Sequence, residues 1–330
     1  MTVIRRRPLL RFGLAAVSTG GLLSGLTADE PHLGTDRAGV LRIASGEPSG
    51  FYAAFSRLLA AECAEAVPPM ICRPVFTEAS VANVGLLGTG RAELAIALAH
   101  TAAAAMAGNA PFHGRTPLRA LGRVYENYLQ LAVRADSGIR SLPELAGRTV
   151  SLGAPESGGA ALGGQLLRAA GLTPGKDVRV VHLLMPEAAR ALRSGTIDGL
   201  LVAGGVPLPL LSGLDTRPGF RLLPLADLLP GLRALGGPDD DWLEEVTVPS
   251  DAYQGTAGVA TIGVANLLLC RPDLPDAVAA AVTRLLVLRA DRLVPEESVG
   301  TQFLDAPSLI ATGAVPLHPG AVAAYREVHG

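Results

Sequence analysis

Three places in the sequence join small hydroxyl and glycine residues to the point where a short apolar run gives way to a helical pattern. They are Ser45-Gly46 into Ser49-Gly50-Phe51-Tyr52, Thr77 into Ser80-Val81-Ala82-Asn83, and Ser151-Leu152-Gly153 into Ser157-Gly158-Gly159. The first N–H groups of a helix have no intrahelical acceptor and lie at the positive end of its dipole, so each junction suits an anion such as a carboxylate. Ser49 and Ser157 add hydroxyl donors, and Tyr52 adds a ring to cover the apolar part of a ligand. Gly158 lets a ligand approach the backbone closely. Ser80 and Asn83, three residues apart, share one face of a helix start. Three such junctions in one chain imply a shared cleft for a small organic anion.

Each of these residues also has a plainer reading. Ser49 and Ser80 suit helix caps, Tyr52 a core aromatic, and the segment from Gly153 to Gly159 an ordinary strand-to-helix turn. Asp198 either accepts from a ligand amine or holds the loop at Gly204-Gly205, and Gly204, Gly205 and Pro207 would line the cleft by their backbone. His100 is either an imidazolium facing a carboxylate or a satisfied histidine at a strand end. Arg123 and Arg134 are the cationic candidates for a carboxylate, or surface residues.

Other chemistries lack their residues. No Lys-Ser/Thr pair follows Gly153 to Gly159, which excludes a P-loop, and Pro155 stands where a nucleophile elbow needs glycine. The six histidines are scattered and form no triad with Ser and Asp, so no catalytic residue and no enzyme activity are expected. Cys63, Cys72 and Cys270 have no CxxC spacing, so neither a metal nor a cofactor is expected. Cys63 and Cys72 flank the Val67-Pro68-Pro69 turn, where they either pair in an oxidising compartment or serve as small apolar core residues.

The elements that must position these residues alternate strand and helix. A strand is expected near 40–45, then a helix over 51–66 with Phe51, Phe55, Leu58, Leu59 and Cys63 on one face, stopped by Pro68-Pro69. A strand at 71–76, a helix from Ser80 to Gly88 and an apolar run at 94–99 follow. The pattern restarts after an apolar segment at 129–135, with strands at 148–153 and 178–184, a helix from Pro186 to Gly195, and a buried strand at 198–202. Residues 227–258 read as irregular, with Asp239-Asp240-Asp241 a solvated turn, and a second connecting strand is expected at 259–269.

The implied fold class is α/β with two lobes, each a mainly parallel sheet flanked by helices, joined by a two-strand hinge. Lobe 1 is 38–130 plus 262–330, and lobe 2 is 131–261.

At the N-terminus, Arg5-Arg6-Arg7 and Arg11 precede a modest apolar run broken by Gly20-Gly21, and Thr27-Ala28 follow. Residues 1–28 therefore read as a twin-arginine-like export signal, which implies a periplasmic or secreted protein, soluble once the signal is removed. The remaining chain carries 24 basic against 30 acidic residues, a net charge of −6, which argues against nucleic acid or an anionic membrane as partner.

In order along the chain, Ser49-Gly50-Phe51-Tyr52, Thr77 to Asn83, Ala135 to Ile139, Gly153 to Gly158 and Asp198 to Pro207 resemble the TAXI-type solute receptors of TRAP transporters. The resemblance implies the type II periplasmic binding protein fold and a receptor that delivers a small carboxylate, glutamate-like or a dicarboxylate, to a TRAP-type permease. A monomer is expected. The alternatives are a receptor for an ABC importer, a ligand-presenting sensor, or an enzyme on the same scaffold. The sequence departs from the TAXI pattern at Glu47-Pro48, Glu78 and His100.

Overall fold

A computed structural model describes residues 39–214, 219–236, 242–254, 258–295 and 306–329. The export-signal segment and the Asp239–Asp241 turn lie outside the described residues.

The first half opens with β1 (Val40–Gly46), α1 (Phe51–Ala66), β2 (Ile71–Phe76), α2 (Ser80–Gly88), β3 (Leu94–Leu98) and α3 (Ala99–Ala107). A long strand, β4 (Arg119–Arg134), leads to the second half: β5 (Thr149–Ser151), α4 (Gly158–Ala169), β6 (Arg179–Val181), α5 (Met185–Ser194), β7 (Gly199–Gly204), α6 (Pro209–Ser212), β8 (Phe220–Leu223), α7 (Leu229–Gly236) and β9 (Leu243–Val248). The chain returns through β10 (Val259–Cys270) and finishes with α8 (Asp276–Leu288), α9 (Ala306–Leu309) and α10 (Pro319–His329).

The strands form one sheet in the order β2-β1-β3-β10-β4-β7-β5-β6, with β8 paired to β4 and β9 to β10. β1 is parallel to β2 and β3, and β5 is parallel to β6 and β7, so each half keeps the right parallel core for strand-helix-strand crossovers. β10 and β4 run antiparallel through the middle and carry the chain between the halves. They correspond to the two connecting strands expected from the sequence, and positions 130/131 and 261/262 fall inside them.

Burial follows sequence pattern. β3 reads Leu-Ala-Ile-Ala-Leu and is buried throughout, as a central strand covered on both faces requires. Against one face pack Phe55 and Leu59 of α1 with Val282 and Leu285 of α8; against the other, Val84 and Leu87 of α2 with Leu267. Gly195 ends α5 in the left-handed region at φ 74°, where a side chain would be strained.

Three expectations are corrected. β4 begins ten residues before the apolar segment at 129, because polar residues such as Glu126 and Asn127 interrupt its alternation although they are buried in the sheet. Residues 227–258 hold a helix and a strand rather than irregular chain. Ser80 is the first residue of α2 and not its cap; Ala79 takes the N-cap position at φ 91°.

Cys63 of α1 and Cys72 of β2 are buried free thiols, with Cys72 Sγ directed at Cys63 Sγ 2.6 Å away. The hydrogen bond from Cys72 and burial both push the Cys63 thiol pKa up.

Candidate functional site

The carboxyl ends of β1, β3 and β7 and the starts of α1, α2, α4 and α5 line a cavity of about 90 Å³. That is room for several waters or a small organic molecule. The first half contributes Gly50, Phe51 and Tyr52 of α1, the loop residues Glu47, Glu78 and Ala79, and Ser80 of α2. The second contributes Ser157, Gly158 and Gly159 at the start of α4, Met185 of α5 and Ala203-Gly204 of β7. Asn127 of the crossing strand β4 lies between them.

The polar network in the wall fixes its own proton positions. Asn266 Nδ2 faces the carbonyl oxygens of Tyr125 and Val264 at 3.4 and 3.3 Å, so its Oδ1 must point the other way. Tyr52 donates to that oxygen at 2.6 Å, and Asn127 donates Nδ2 to it at 3.4 Å. Ser80 Oγ accepts from the Leu98 N–H at 3.1 Å and lies 3.1 Å from Tyr52 Oη, whose own proton is committed, so Ser80 donates to Tyr52. Both hydroxyls thus spend their protons inside the protein. The same orientation leaves Asn127 Oδ1, in a side chain only 3% exposed, without a donor.

Several helix N-termini are already filled. The Glu156 carbonyl accepts from the Val81 and Ala82 N–H groups of α2 at 3.1 and 3.2 Å. Glu47 Oε2 accepts from the Met185 N–H at the start of α5, and Glu78 Oε2 accepts from the Glu156 N–H, both at 3.1 Å. These bonds join the halves across the cavity mouth. Burial, together with the nearby Glu78 charge, holds the Glu47 carboxyl pKa above its ordinary value despite the Met185 N–H. At α4, Ser157 Oγ caps the helix by accepting from the Ala160 N–H at 3.0 Å, and its proton remains available. Gly158 packs across the cleft so closely that a Cβ there would lie 2.7 Å from Thr101 Oγ1 and 2.8 Å from Ser80 Oγ.

Of the residues singled out in the sequence, Gly50, Tyr52, Ser80, Ser157, Gly158 and Gly204 line the cavity. Ser49 is exposed, and Gly50 rather than Ser49 takes the N-cap position of α1. Thr77 and Asn83 stand behind the wall: Thr77 Oγ1 accepts from the Gly46 and Ala79 N–H groups at 3.0 Å and donates to Asn83 Oδ1, while Asn83 Nδ2 donates to the Ile96 carbonyl. His100 is buried in the first turn of α3 and does not line the cavity. Asp198 lies before β7, about 20 Å of strand from its cavity end, where it accepts from the Thr149 N–H and pairs with Arg148. Gly205 and Pro207 stand outside the lining; the Gly205 carbonyl accepts from Gln130 Nε2. Arg123 and Arg134 are engaged with Glu244 and Asp136 respectively, away from the wall.

Sequence reading missed Glu47, Glu78 and Asn127 as wall residues. The two glutamates carried a signal as departures from the TAXI pattern; Asn127 carried none, being one polar residue in an unrecognised stretch of strand. Among the described residues no cluster of His, Cys, Asp and Glu gathers to hold a metal.

The sequence profile of the NMT1-like family matches residues 43–328, which spans both halves and every wall residue. The chain belongs to the NMT1-like family. Among solved structures, a protein from Bordetella bronchiseptica RB50 is similar to this NMT1-like chain with a TM-score of 0.56 at 15% identity, over 88% of this chain and 98% of that one. The periplasmic aliphatic sulphonate binding protein SsuA from Escherichia coli aligns with a TM-score of 0.45 at 16% identity, over 88% of this chain and 84% of that one. The alkanesulfonate-binding protein SsuA from Xanthomonas axonopodis pv. citri bound to MOPS gives 0.46 at 17%, over 87% and 83%. The α/β fold of this NMT1-like protein, a mixed sheet flanked by helices, is shared with the Bordetella bronchiseptica protein. No helix among the described residues is long and apolar enough to cross a membrane.

Proposed function

We propose that the protein is an exported, monomeric receptor that captures a small organic solute between its two halves and delivers it to a membrane importer of the ABC type. The observation that carries this reading is the cavity itself, walled by both halves, bridged at its mouth by hydrogen bonds between them, and backed by the two strands on which the halves can swing. A solute that binds the closed form more tightly than the open one shifts the equilibrium toward closure. The closed form is then the signal an importer reads. The TRAP permease rested on the TAXI resemblance alone; the ABC reading is supported by similar solved structures that are named as binding components of ABC transporters, one for phosphonate and one for an amino acid.

No turnover is proposed. The wall supplies hydroxyls, amides and carboxylates but no nucleophile paired with a base, and Ser157, the one wall serine with a proton available, caps a helix. The small carboxylate expected from the sequence would have to rest on the start of α4, where the Gly158 and Gly159 N–H groups and the Ser157 hydroxyl meet the cavity.

The reading is tested by unfolding and refolding the purified protein to strip any bound solute, then screening amines, carboxylates, sulfonates, sugars and nucleobases by thermal shift. A saturable rise in Tm with recovery of the compound unchanged is the expected result. Conversion of the bound compound to a product, or no shift with any class, would sink the receptor reading.

A further inference from the structure

The charges in the cavity wall run against the anion that the helix starts suggest. Glu47 and Glu78 line it, and among the described residues no Lys, Arg or His does. Of the three wall hydroxyls, Tyr52 and Ser80 have no proton to give an anion, because each is committed along the chain to Asn266 Oδ1, which leaves only Ser157. One of the three expected anion sites is also taken, the α2 N–H groups by the Glu156 carbonyl, and beside the first junction stands a carboxylate, Glu47, turned over the cleft to the Met185 N–H.

Donors remain at the start of α4, and at Asn127 the wall lacks one. Asn127 lines the cavity, its Oδ1 is buried without a hydrogen-bond partner, and its orientation is set by two backbone carbonyls acting through Asn266. A buried acceptor of this kind is satisfied by an N–H or O–H brought by a ligand. The Phe51 ring lines the same cavity, held against Tyr125 at 4.2 Å between ring centroids, and an aromatic face attracts a cation. The remaining surface is apolar, from Leu98, Leu152, Leu201 and Leu208.

We propose that the solute is a small organic ammonium compound, its N–H seated on Asn127 Oδ1, its charge offset by Glu47 and Glu78, and its hydrocarbon part on the leucine wall. This deepens the receptor reading and rests on it. Glu47 and Glu78 remain bonded to the Met185 and Glu156 N–H groups while their charge acts across the cavity, so capture of a cation and bridging of the halves use the same two side chains.

The experiment titrates the refolded full-length protein with compounds of one size and different charge: butylammonium, tetramethylammonium, butan-1-ol, butanoate and butane-1-sulfonate. Butylammonium is expected to raise Tm and to bind at least about tenfold more tightly than butan-1-ol. Tetramethylammonium, which has no N–H for Asn127, is expected to bind more weakly than butylammonium. The double variant Glu47→Gln, Glu78→Gln keeps both hydrogen-bond acceptors and should lose at least about tenfold in butylammonium affinity, with its unfolding midpoint confirming the fold. Asn127→Asp, of the same shape, should strengthen butylammonium binding. Binding of butanoate or the sulfonate without butylammonium overturns the ammonium proposal and leaves the receptor reading standing. So does unchanged affinity in the double variant. No binding by these probes or by any class in the wider screen overturns both.

Discussion

Tyr52 Oη donates to Asn266 Oδ1 at 2.6 Å, which ties the first helix of the chain to a strand 214 residues later. Because Asn266 is itself oriented by the carbonyls of Tyr125 and Val264, the bond transmits the geometry of the two crossing strands to the cavity wall. Removing the tyrosine hydroxyl leaves Ser80 without its acceptor and Asn266 Oδ1 with only the long contact from Asn127. Tyr52→Phe is therefore expected to cost about 1–3 kcal/mol, since buried polar groups stranded without partners carry their full desolvation penalty. Urea denaturation measures it; a loss below about 0.5 kcal/mol, the scale of an ordinary surface change, would mean that the network relaxes around the gap.

Ala79 sits at φ 91° and ψ −139°, a backbone conformation that favours glycine, and it holds the turn that brings Ser80 to the wall. Thr77 keeps it there by accepting from its N–H. Ala79→Gly is expected to raise stability by about 1 kcal/mol, the relief of strain exceeding the added chain entropy of glycine. A fall in the denaturation midpoint would show that the Ala79 methyl, packed near Gly46, is worth more than the strain it carries.

The sequence made the frame legible where pattern and packing agree. The helix over 51–66 has its apolar face at helical spacing, and the strands at 40 and 71 are bounded by glycine and proline, so their limits agree with those of α1, β1 and β2 to within a residue or so. β4 was legible only in its last third, because buried polar residues such as Asn127 and Gln130 take hydrogen-bond partners from distant segments, and no local signal announces such a partner. The site divides the same way. Glycine at position 158 reads as close approach, and the structure places it against Ser80 and Thr101. The emptiness of a helix N-terminus, by contrast, depends on what another segment brings to it. Nothing in Ser80-Val81-Ala82 foretells the Glu156 carbonyl.

Gly158 packs against the other half at the cavity, and a methyl group there meets Thr101 Oγ1 and Ser80 Oγ well inside contact distance. Gly158 has no left-handed backbone constraint, and alanine suits a helix better than glycine does. Gly158→Ala is therefore expected to leave the urea midpoint within about 0.5 kcal/mol of the parent while forcing the halves apart. Ligand affinity should fall at least about tenfold, with a larger radius of gyration in solution scattering in the presence of ligand. Unchanged affinity would mean that closure does not bring these residues together.

Glu126 lies on β4 at the crossing of the halves, 1% exposed, with Oε1 lacking a hydrogen-bond partner and the backbone of Gly263 packed against it. Burial and the Glu244 charge push its carboxyl pKa up to about 7, more than Arg123, 3.7 Å away, draws it down. Because the folded state holds this proton more tightly than the unfolded chain does, the group binds more protons when folded across the interval from the ordinary glutamate value to about 7. Stability from this residue is thus greatest below that interval, declines as pH rises through it, and levels off above it. Glu126→Gln keeps the shape and removes the titration, so its Tm should exceed the parent's by more at pH 8 than at pH 4.5. Thermal unfolding of both proteins across that range checks it. Parallel curves for parent and variant would assign the pH dependence to another group and return Glu126 to an ion-paired role with Arg123.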